Sequence, residues 1–431
     1  MDWRNAFIQL ILENLDDSTN PLTASLHSCG PLFLANIRSN AKNLAAGVSI
    51  PSSCANLEIL RERSRSQMAS SRGPSLTGWI RLYTDASILR CLADVSAPTA
   101  VQSIGYLDGI IVTCGPASGR LDLILSLIEI IQYKYLPMEE FTFQAQPDTS
   151  PPLSQPENFS LRSSSRDIPS FNRAPSVLTF QRNLSNRPFI VRGYGRDWPA
   201  LAEHPWRSAA YLRSVAGPGR VVPVEIGEDY RESGWRQSMM SWENLLSSLD
   251  FIDQPPAHGS TEIIYLAQHN LLMQFPALRE DIIVPDYVYA AVDPPEYLEY
   301  KPPGNDEQLV LNGWLGPKGT ISPAHTDPYY NFFAQVVGRK TVWLAPPDVT
   351  PFMYPFELTS HSSESAPNMH NTSRVDVFSA KEEEDFPDFW EKGVREAFHE
   401  TIGPGDLLFI PVGWWHAMRS EDTSFSVSMW F

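Results

Sequence analysis

The sequence predicts an α+β protein: a helical region over about the first 140 residues, followed by a β-rich sandwich or barrel. Three observations lead there. Apolar residues before residue 140 recur at helical spacing. Residues 144–176 are dominated by Pro and Ser and show no periodicity. From Pro188 onward, short apolar runs alternate with Gly, Pro and Asp.

The first element is an amphipathic helix over Met1–Leu15, with Trp3, Phe7, Leu10 and Ile11 on one stripe. Asp2 and Glu13, and the lack of a small-residue cleavage site, argue against a secretory signal. A second helix is expected over Gly78–Leu92, after the breaker pair Gly73-Pro74. A third covers Leu121–Ile131, where Leu121, Ile124, Leu125, Ile128 and Ile131 are helically spaced. That run is the longest apolar stretch. Asp122 and Glu129 interrupt it, and it falls short of the roughly 20 residues a membrane span needs. These features divide the chain into a helical domain (1–143), a Pro/Ser-rich linker (144–177) and a β-rich domain (178–431).

Within the last domain, strands are expected at Phe189–Arg192, Arg220–Ile226, Glu262–Leu266, Gln308–Leu311, Phe332–Val337, Lys340–Leu344, Asp406–Ile410 and Phe425–Trp430. Helical inserts fit 199–216 and 241–250. Residues 357–395 read as a polar, acidic insertion with a short helix, and His361, His370 and His399 as surface residues.

Composition narrows the function. The chain carries 33 basic and 50 acidic residues, a net −17, which excludes a generally basic coat for nucleic acid. Hydrophobic residues at 42% and 12 Trp exclude wholesale disorder. Cys29, Cys54, Cys91 and Cys114 form no CxxC pair and all precede residue 115. A zinc finger or disulfide framework is therefore not expected, a reducing compartment is favoured, and a metal centre elsewhere would use His and carboxylates.

The sequence supplies such a set. Gly319-Thr-Ile-Ser-Pro-Ala-His325-Thr-Asp327 carries a His-x-Asp pair on an extended segment, where period-two alternation puts both side chains on one face. A second His closes Gly405-Asp-Leu-Leu-Phe-Ile-Pro-Val-Gly-Trp-Trp-His416. Together the two halves match the pattern of cupin-type double-stranded β-helices, in which Gly and Pro turns deliver ligands from two hairpins to one barrel mouth. Two imidazoles and one carboxylate leave three positions open on octahedral Fe(II). The competing reading makes both histidines satisfied core residues. Lys340 follows a turn at Gly338 and shares a strand face with Val342 and Leu344. If that face points inward, the buried ammonium needs an anion, and the distal carboxylate of 2-oxoglutarate would serve. The competing reading is a surface lysine on a hairpin.

At this point residues 178–431 resemble the jumonji-C (JmjC) Fe(II)/2-oxoglutarate oxygenases, and within them the lysine-specific demethylase 8 subgroup, also described as arginyl hydroxylase. The segments that carry the resemblance are Pro188–Gly193, Val222–Gly227, Tyr265–His269, Ile283–Tyr287, Asn312–His325, Asn331–Lys340, His370–Val377 and Phe409–His416. The resemblance implies metal ligation by His325, Asp327 and His416. It implies 2-oxoglutarate contacts from Tyr265, Ser322, Asn331 and Lys340, all of which can donate to a carboxylate. It implies a target pocket lined by Glu225, Tyr230, Gln268 and Trp314, where a carboxylate and an aromatic wall suit a guanidinium or a methylated ammonium. Glu225 as a solvent-facing strand residue and Trp314 as plain core are the alternatives. Trp414 and Trp415 fit as walls beside the metal.

The expected activity is oxidation by Fe(II), 2-oxoglutarate and O2, with hydroxylation of arginine in a protein preferred. Histone N-methyl-lysine demethylation and a non-catalytic scaffold are the rivals. The expected partner is a protein or peptide presenting Arg or methyl-Lys. Direct nucleic-acid or membrane binding is not expected, the chain is expected to be a monomer, and placement in nucleus or cytoplasm is expected over secretion.

Overall fold

The computed structural model describes residues 2–17, 19–116, 118–137, 141, 161–231, 234–256, 262–292, 297–305, 307–357, 369–379 and 383–431. Residues 144–160 of the expected linker, the segments 358–368 and 380–382 of the acidic insertion, and His361 lie outside these. The chain forms two compact units. One comprises Met1–Glu140 with Ala216–Val222 and Met239–Glu243. The other comprises Phe141–Val215, Pro223–Ser238 and Asn244–Phe431. Among the described residues no helix is long and apolar enough to cross a membrane.

In the helical unit, α1 (Trp3–Asp16), α2 (Pro21–Ser25), α3 (Pro31–Ala45), α4 (Ile50–Ser70), α5 (Gly73–Asp94), α6 (Ala100–Cys114) and α7 (Leu121–Tyr135) follow one another. Asp2 and Asn20 cap α1 and α2 by accepting from backbone N–H groups of the first turn. Helix α1 forms where expected, but its buried face is Ile8, Ile11, Leu12 and Leu15, while Leu10 is exposed. Its sequence offers two overlapping apolar stripes, and packing against α3 selects the one nearer the C-terminus. Gly73-Pro74 is the first turn of α5 rather than a break before it, because proline lacks only an N–H that has no helical acceptor there. Helix α5 is buried on nearly all sides. It carries Asp85, whose carboxylate is gripped by Arg81 and Arg120 at 2.8 Å each.

The strands are β1 (Arg166–Asp167), β2 (Ser170–Phe171), β3 (Phe189–Val191), β4 (Val221–Ile226), β5 (Arg236–Ser241), β6 (Ile264–His269), β7 (Val310–Gly316), β8 (Ile321–His325), β9 (Asn331–Val337), β10 (Lys340–Ala345), β11 (Phe398–Ile402), β12 (Leu407–Ile410), β13 (Trp415–Ser420) and β14 (Ser424–Trp430). They order as β2-β3-β12-β9-β14-β7-β6-β4-β5 in one sheet and β1-β11-β10-β13-β8 in the other. Strands β7 to β14 cross repeatedly between the two sheets, the signature of a double-stranded β-helix. Phe333, Leu408 and Ile410 from the first sheet pack with Val342, Leu344, Ile402 and Met418 from the second. The face shared by Lys340, Val342 and Leu344 is therefore an interior face.

The structure departs from the sequence reading in two places here. Residues 161–177, expected as linker, carry β1 and β2. These pair in parallel with β11 and β3, and Leu161 and Ile168 are buried. Their Ser-rich composition hides two edge strands too short to show alternation. His399, expected on the surface of the insertion, lies in β11, and its Nδ1 is 2.9 Å from the Ser164 hydroxyl.

Gly338 makes the turn that delivers Lys340. Its φ is +67°, and a Cβ there would lie 2.1 Å from the Thr423 carbonyl oxygen. Gly338→Ala should therefore lower unfolding free energy by about 2 kcal/mol or more, read from urea denaturation. An effect below about 0.5 kcal/mol would show the turn to be relaxed.

Candidate metal and co-substrate site

The two candidate histidines stand directly opposite each other. His325 ends β8, His416 lies at the start of β13, and the strands pair His416 with His325. Their ring centroids are 4.2 Å apart. Asp327 follows two residues later, its carboxylate 3.4 Å from His416 Nε2 and 3.9 Å from His325 Nε2. One ligand atom from each residue lies within 4.8 Å of the others. His325 Nδ1 is 2.8 Å from the Pro323 carbonyl and His416 Nδ1 is 3.0 Å from the Trp414 carbonyl. A carbonyl only accepts, so each Nδ1 carries the hydrogen and each Nε2 can offer a lone pair. This donor set fits Fe(II): two imidazole nitrogens and one carboxylate converge and leave coordination positions free.

Burial disfavours charge on all three groups. Together with the neighbouring His416 it pushes His325 down to about 4. At His416 burial is outweighed by the hydrogen bond and charge of Asp327, which raise its pKa. At Asp327 burial is outweighed by the His416 hydrogen bond and both imidazoles, which hold the carboxyl below its ordinary range.

Lys340 opens β10 and is 2% exposed, which removes the surface reading. Its ammonium donates to the Tyr265 hydroxyl at 3.3 Å and lies 5.5 Å from the ring centres of Tyr265 and Phe333. Among the described residues no carboxylate pairs with it. Burial alone depresses its pKa to about 7. The Tyr265 hydroxyl also shares a hydrogen bond with Ser322, and burial raises its pKa. Asn331 opens β9, and its side-chain oxygen accepts from the Met429 N–H at 3.3 Å.

One narrow cleft is lined by His325, Asp327, His416, Tyr265, Ser322, Asn331, Lys340 and Trp314. Phe333 and Met418 complete it. The sequence reading missed these two, though each lies two residues beyond a candidate on the same strand, Asn331 and His416. Trp314 is also held by its indole N–H on Ser428 at 3.0 Å.

The other pocket candidates divide. Glu225 is opposite Tyr265 in the β4–β6 pair. Its carboxylate accepts from Trp235 Nε1 at 3.3 Å, and burial raises its pKa despite bonds from Trp235 and Gln237. Tyr230 reaches the Thr372 hydroxyl at 3.3 Å, and Thr372 forms a bridge with His325. Gln268 is exposed and does not line the cleft. An irregularity in β6 between Leu266 and His269 leaves it at φ +47°.

A further support lies in residues 369–375. Asn371 exchanges hydrogen bonds with the Thr326 backbone at 2.8 and 3.0 Å, and Ser373 N–H donates to the Ala324 carbonyl at 2.8 Å. This segment lies alongside the end of β8 and the His-x-Asp turn. On the other side, Gly413 N–H donates to the Asp327 carbonyl at 3.0 Å, tying the two ligand-bearing turns together.

The model of the cupin-like domain matches residues 179–431, well over half of the chain. The chain belongs to the family of cupin-like, JmjC-type domains. Relatives within it include lysine-specific demethylase 8 of Danio rerio, 39% identical over 270 residues, covering 62% of this chain and 58% of that protein. Jumonji C domain-containing protein 5 of Drosophila melanogaster is 37% identical, covering 65% of this chain and 64% of the fly protein. The human bifunctional peptidase and (3S)-lysyl hydroxylase JMJD7 is 25% identical, covering 61% and 84%. The matches thus span less than two thirds of the length of the first two relatives. JmjC proteins generally use Fe(II) and 2-oxoglutarate, and the donor set described above fits both.

The depressed pKa of Lys340 gives a pH test. The ammonium form binds a carboxylate, so binding above pH 7 requires proton uptake. With Mn(II) saturating, the dissociation constant of 2-oxoglutarate should rise above pH 7 by up to about tenfold per pH unit. Calorimetry at pH 8 in two buffers of different ionisation enthalpy should detect the proton taken up. No uptake would mean that Lys340 is already charged without ligand.

Proposed function

We propose that this chain is an Fe(II)- and 2-oxoglutarate-dependent oxygenase that hydroxylates an arginine side chain in a protein. The observation that carries the oxygenase reading is the meeting, in one cleft, of the His325/Asp327/His416 donor set and a buried lysine that no carboxylate pairs among the described residues. In this reading the three ligands hold the metal, which when bound supplies the oxidising chemistry with O2 and 2-oxoglutarate. Lys340, with Tyr265, Ser322 and Asn331 around it, fixes the distal carboxylate of the co-substrate. The barrel core excludes water from behind the site.

Glu225 carries the choice of arginine. It is a half-buried carboxylate beside Tyr265 with its pKa raised by burial, and a guanidinium would both pair with it and stack on the nearby indoles. The net charge of −17 would favour approach of a basic segment. N-methyl-lysine demethylation is the second reading. The names of the demethylase relatives favour it, and a methylated ammonium suits the same carboxylate. The intact ligand set and lysine weigh against a scaffold without catalysis.

Mass spectrometry on a panel of basic peptides separates the readings. Arginine hydroxylation adds 16 Da, whereas demethylation removes 14 Da per methyl; demethylation alone would overturn the arginine assignment. His325→Ala should abolish iron-dependent succinate formation. Glu225→Gln should lower kcat/KM for an arginine peptide roughly thirtyfold, while 2-oxoglutarate turnover without peptide persists.

A further inference from the structure

One short turn of chain touches both ligand-bearing turns of the barrel unit. It spans residues 297–300 and is closed by the Tyr300 N–H, which donates to the Tyr297 carbonyl at 3.1 Å. Leu298 inside the turn is exposed, while the tyrosines at its two ends are partly buried. The Tyr297 ring lies against Gly413. A Cβ on that glycine would clash with Tyr297 Cδ2 and fall 2.8 Å from Cε2 and 2.9 Å from Cγ. Gly413 is buried, with φ +72°, and its missing side chain is what lets an aromatic ring reach the backbone there. The Tyr297 hydroxyl donates to Glu299 at 3.3 Å and shares a hydrogen bond with the Thr326 side chain. At the other end of the turn, the Tyr300 ring meets Tyr330 edge-on, with centroids 5.4 Å apart. Tyr330 is itself fixed, buried and stacked on Phe409 and Phe431. Residues 326 and 330 bracket Asp327 in the chain, and Gly413 bonds to its backbone.

We infer that Tyr297 is a positioning residue for Asp327: its ring seals the backbone bond between Gly413 and Asp327, and so holds in place the carboxylate that completes the metal set. The three ligands are oriented by different means. Each imidazole is oriented by its own Nδ1 on a backbone carbonyl, Pro323 for His325 and Trp414 for His416. Among the described residues the Asp327 carboxylate has no partner besides those two imidazoles. Their Nε2 atoms are the ones that face a metal, so with the site filled no protein donor aligns the carboxylate. Its direction is then set by the backbone around it. On one side Thr326 is tied to Asn371; on the other, the Asp327 carbonyl accepts from the Gly413 N–H at 3.0 Å. A backbone bond that water can reach is weakened by exchange of partners with water, and a ring packed on the donor residue prevents that exchange. The hydroxyl bonds to Thr326 and Glu299 and the Tyr300–Tyr330 contact hold the ring where it does this.

The inference deepens the metal-binding part of the proposed function and rests on it. Two measurements on the full-length protein test it. The first is amide hydrogen exchange without metal. In Tyr297→Ala, exchange at Gly413 should rise about tenfold or more, while β9, β12 and β14 keep wild-type protection. The second is titration with Co(II), followed by its visible absorption, with His325→Ala as the blank for binding elsewhere. The Co(II) dissociation constant should rise about tenfold or more in Tyr297→Ala. Tyr297→Phe keeps the ring and should bring both readouts to within about threefold of wild type. Tyr297→Leu, which fills part of the space without a ring, is read on the same terms as the alanine variant if the latter does not fold. Unchanged Co(II) affinity or unchanged exchange at Gly413 in a folded variant would overturn the inference. So would an equal rise in exchange across the barrel, or a phenylalanine variant that behaves like the alanine one. A wild type that binds no Co(II) beyond the His325→Ala blank would defeat the metal reading itself, and exchange at Gly413 would still decide whether the ring seals the bond.

Discussion

The site depends on one cross-strand pair, His325 opposite His416. The two residues are far apart in sequence and become neighbours only because β8 and β13 are adjacent in the smaller sheet. Antiparallel register is unforgiving, since a shift of one residue would send His416 to the outer face. Several contacts hold it. Gly319 N–H and Ser420 N–H bond across the far end of the pair at 2.8 and 2.9 Å. The two Nδ1–carbonyl bonds fix the ring planes, and the Gly413–Asp327 bond fixes the third ligand to the same frame. A cluster of buried polar groups does not hold itself together, because each loses hydration on burial. The apolar layer between the sheets, with Phe333, Val342, Leu344, Leu408 and Met418, supplies the driving force that keeps them there.

What was legible in the sequence was what is local or strictly alternating. The His-x-Asp pair and the Gly/Pro spacing before His416 are written within a few residues of the ligands. The inward direction of Lys340 follows from its phase with Val342 and Leu344, and the interior packing of both agrees. The strands absent from the sequence reading include β11 and β13 as well as three that lack such a signal. Arg236–Ser241 is polar and mostly exposed, and Arg166–Asp167 and Ser170–Phe171 are two residues each. Gln268 was implied by the resemblance alone, and it lies exposed at an irregular point of β6, outside the cleft lining. The link from Tyr230 through Thr372 to His325, and the packing of Ala216–Val222 against α6 and α7, are tertiary pairings between residues tens to more than a hundred positions apart, and no local pattern encodes them.

The two shifted groups around Tyr265 explain how a strongly acidic protein can hold an anion inside. Lys340 donates to the Tyr265 hydroxyl, and Glu225 stands opposite Tyr265 on the neighbouring strand. Their pKa values move in opposite directions for the same reason: each is buried without a full counter-charge, so the lysine is lowered and the glutamate is raised. A direct ion pair between them would satisfy both charges and leave neither with an unmet demand. Instead they project from strands of different sheets, with the phenol beside both, and each retains a reason to bind a charge from outside. In the proposed reaction those outside charges differ in sign, an anionic co-substrate at Lys340 and a cationic side chain at Glu225. The anion would then sit inside the cleft at Lys340, and the cation at Glu225, which is not among the residues lining that cleft. The acidic exterior can then attract the cation without preventing the interior lysine from taking the anion.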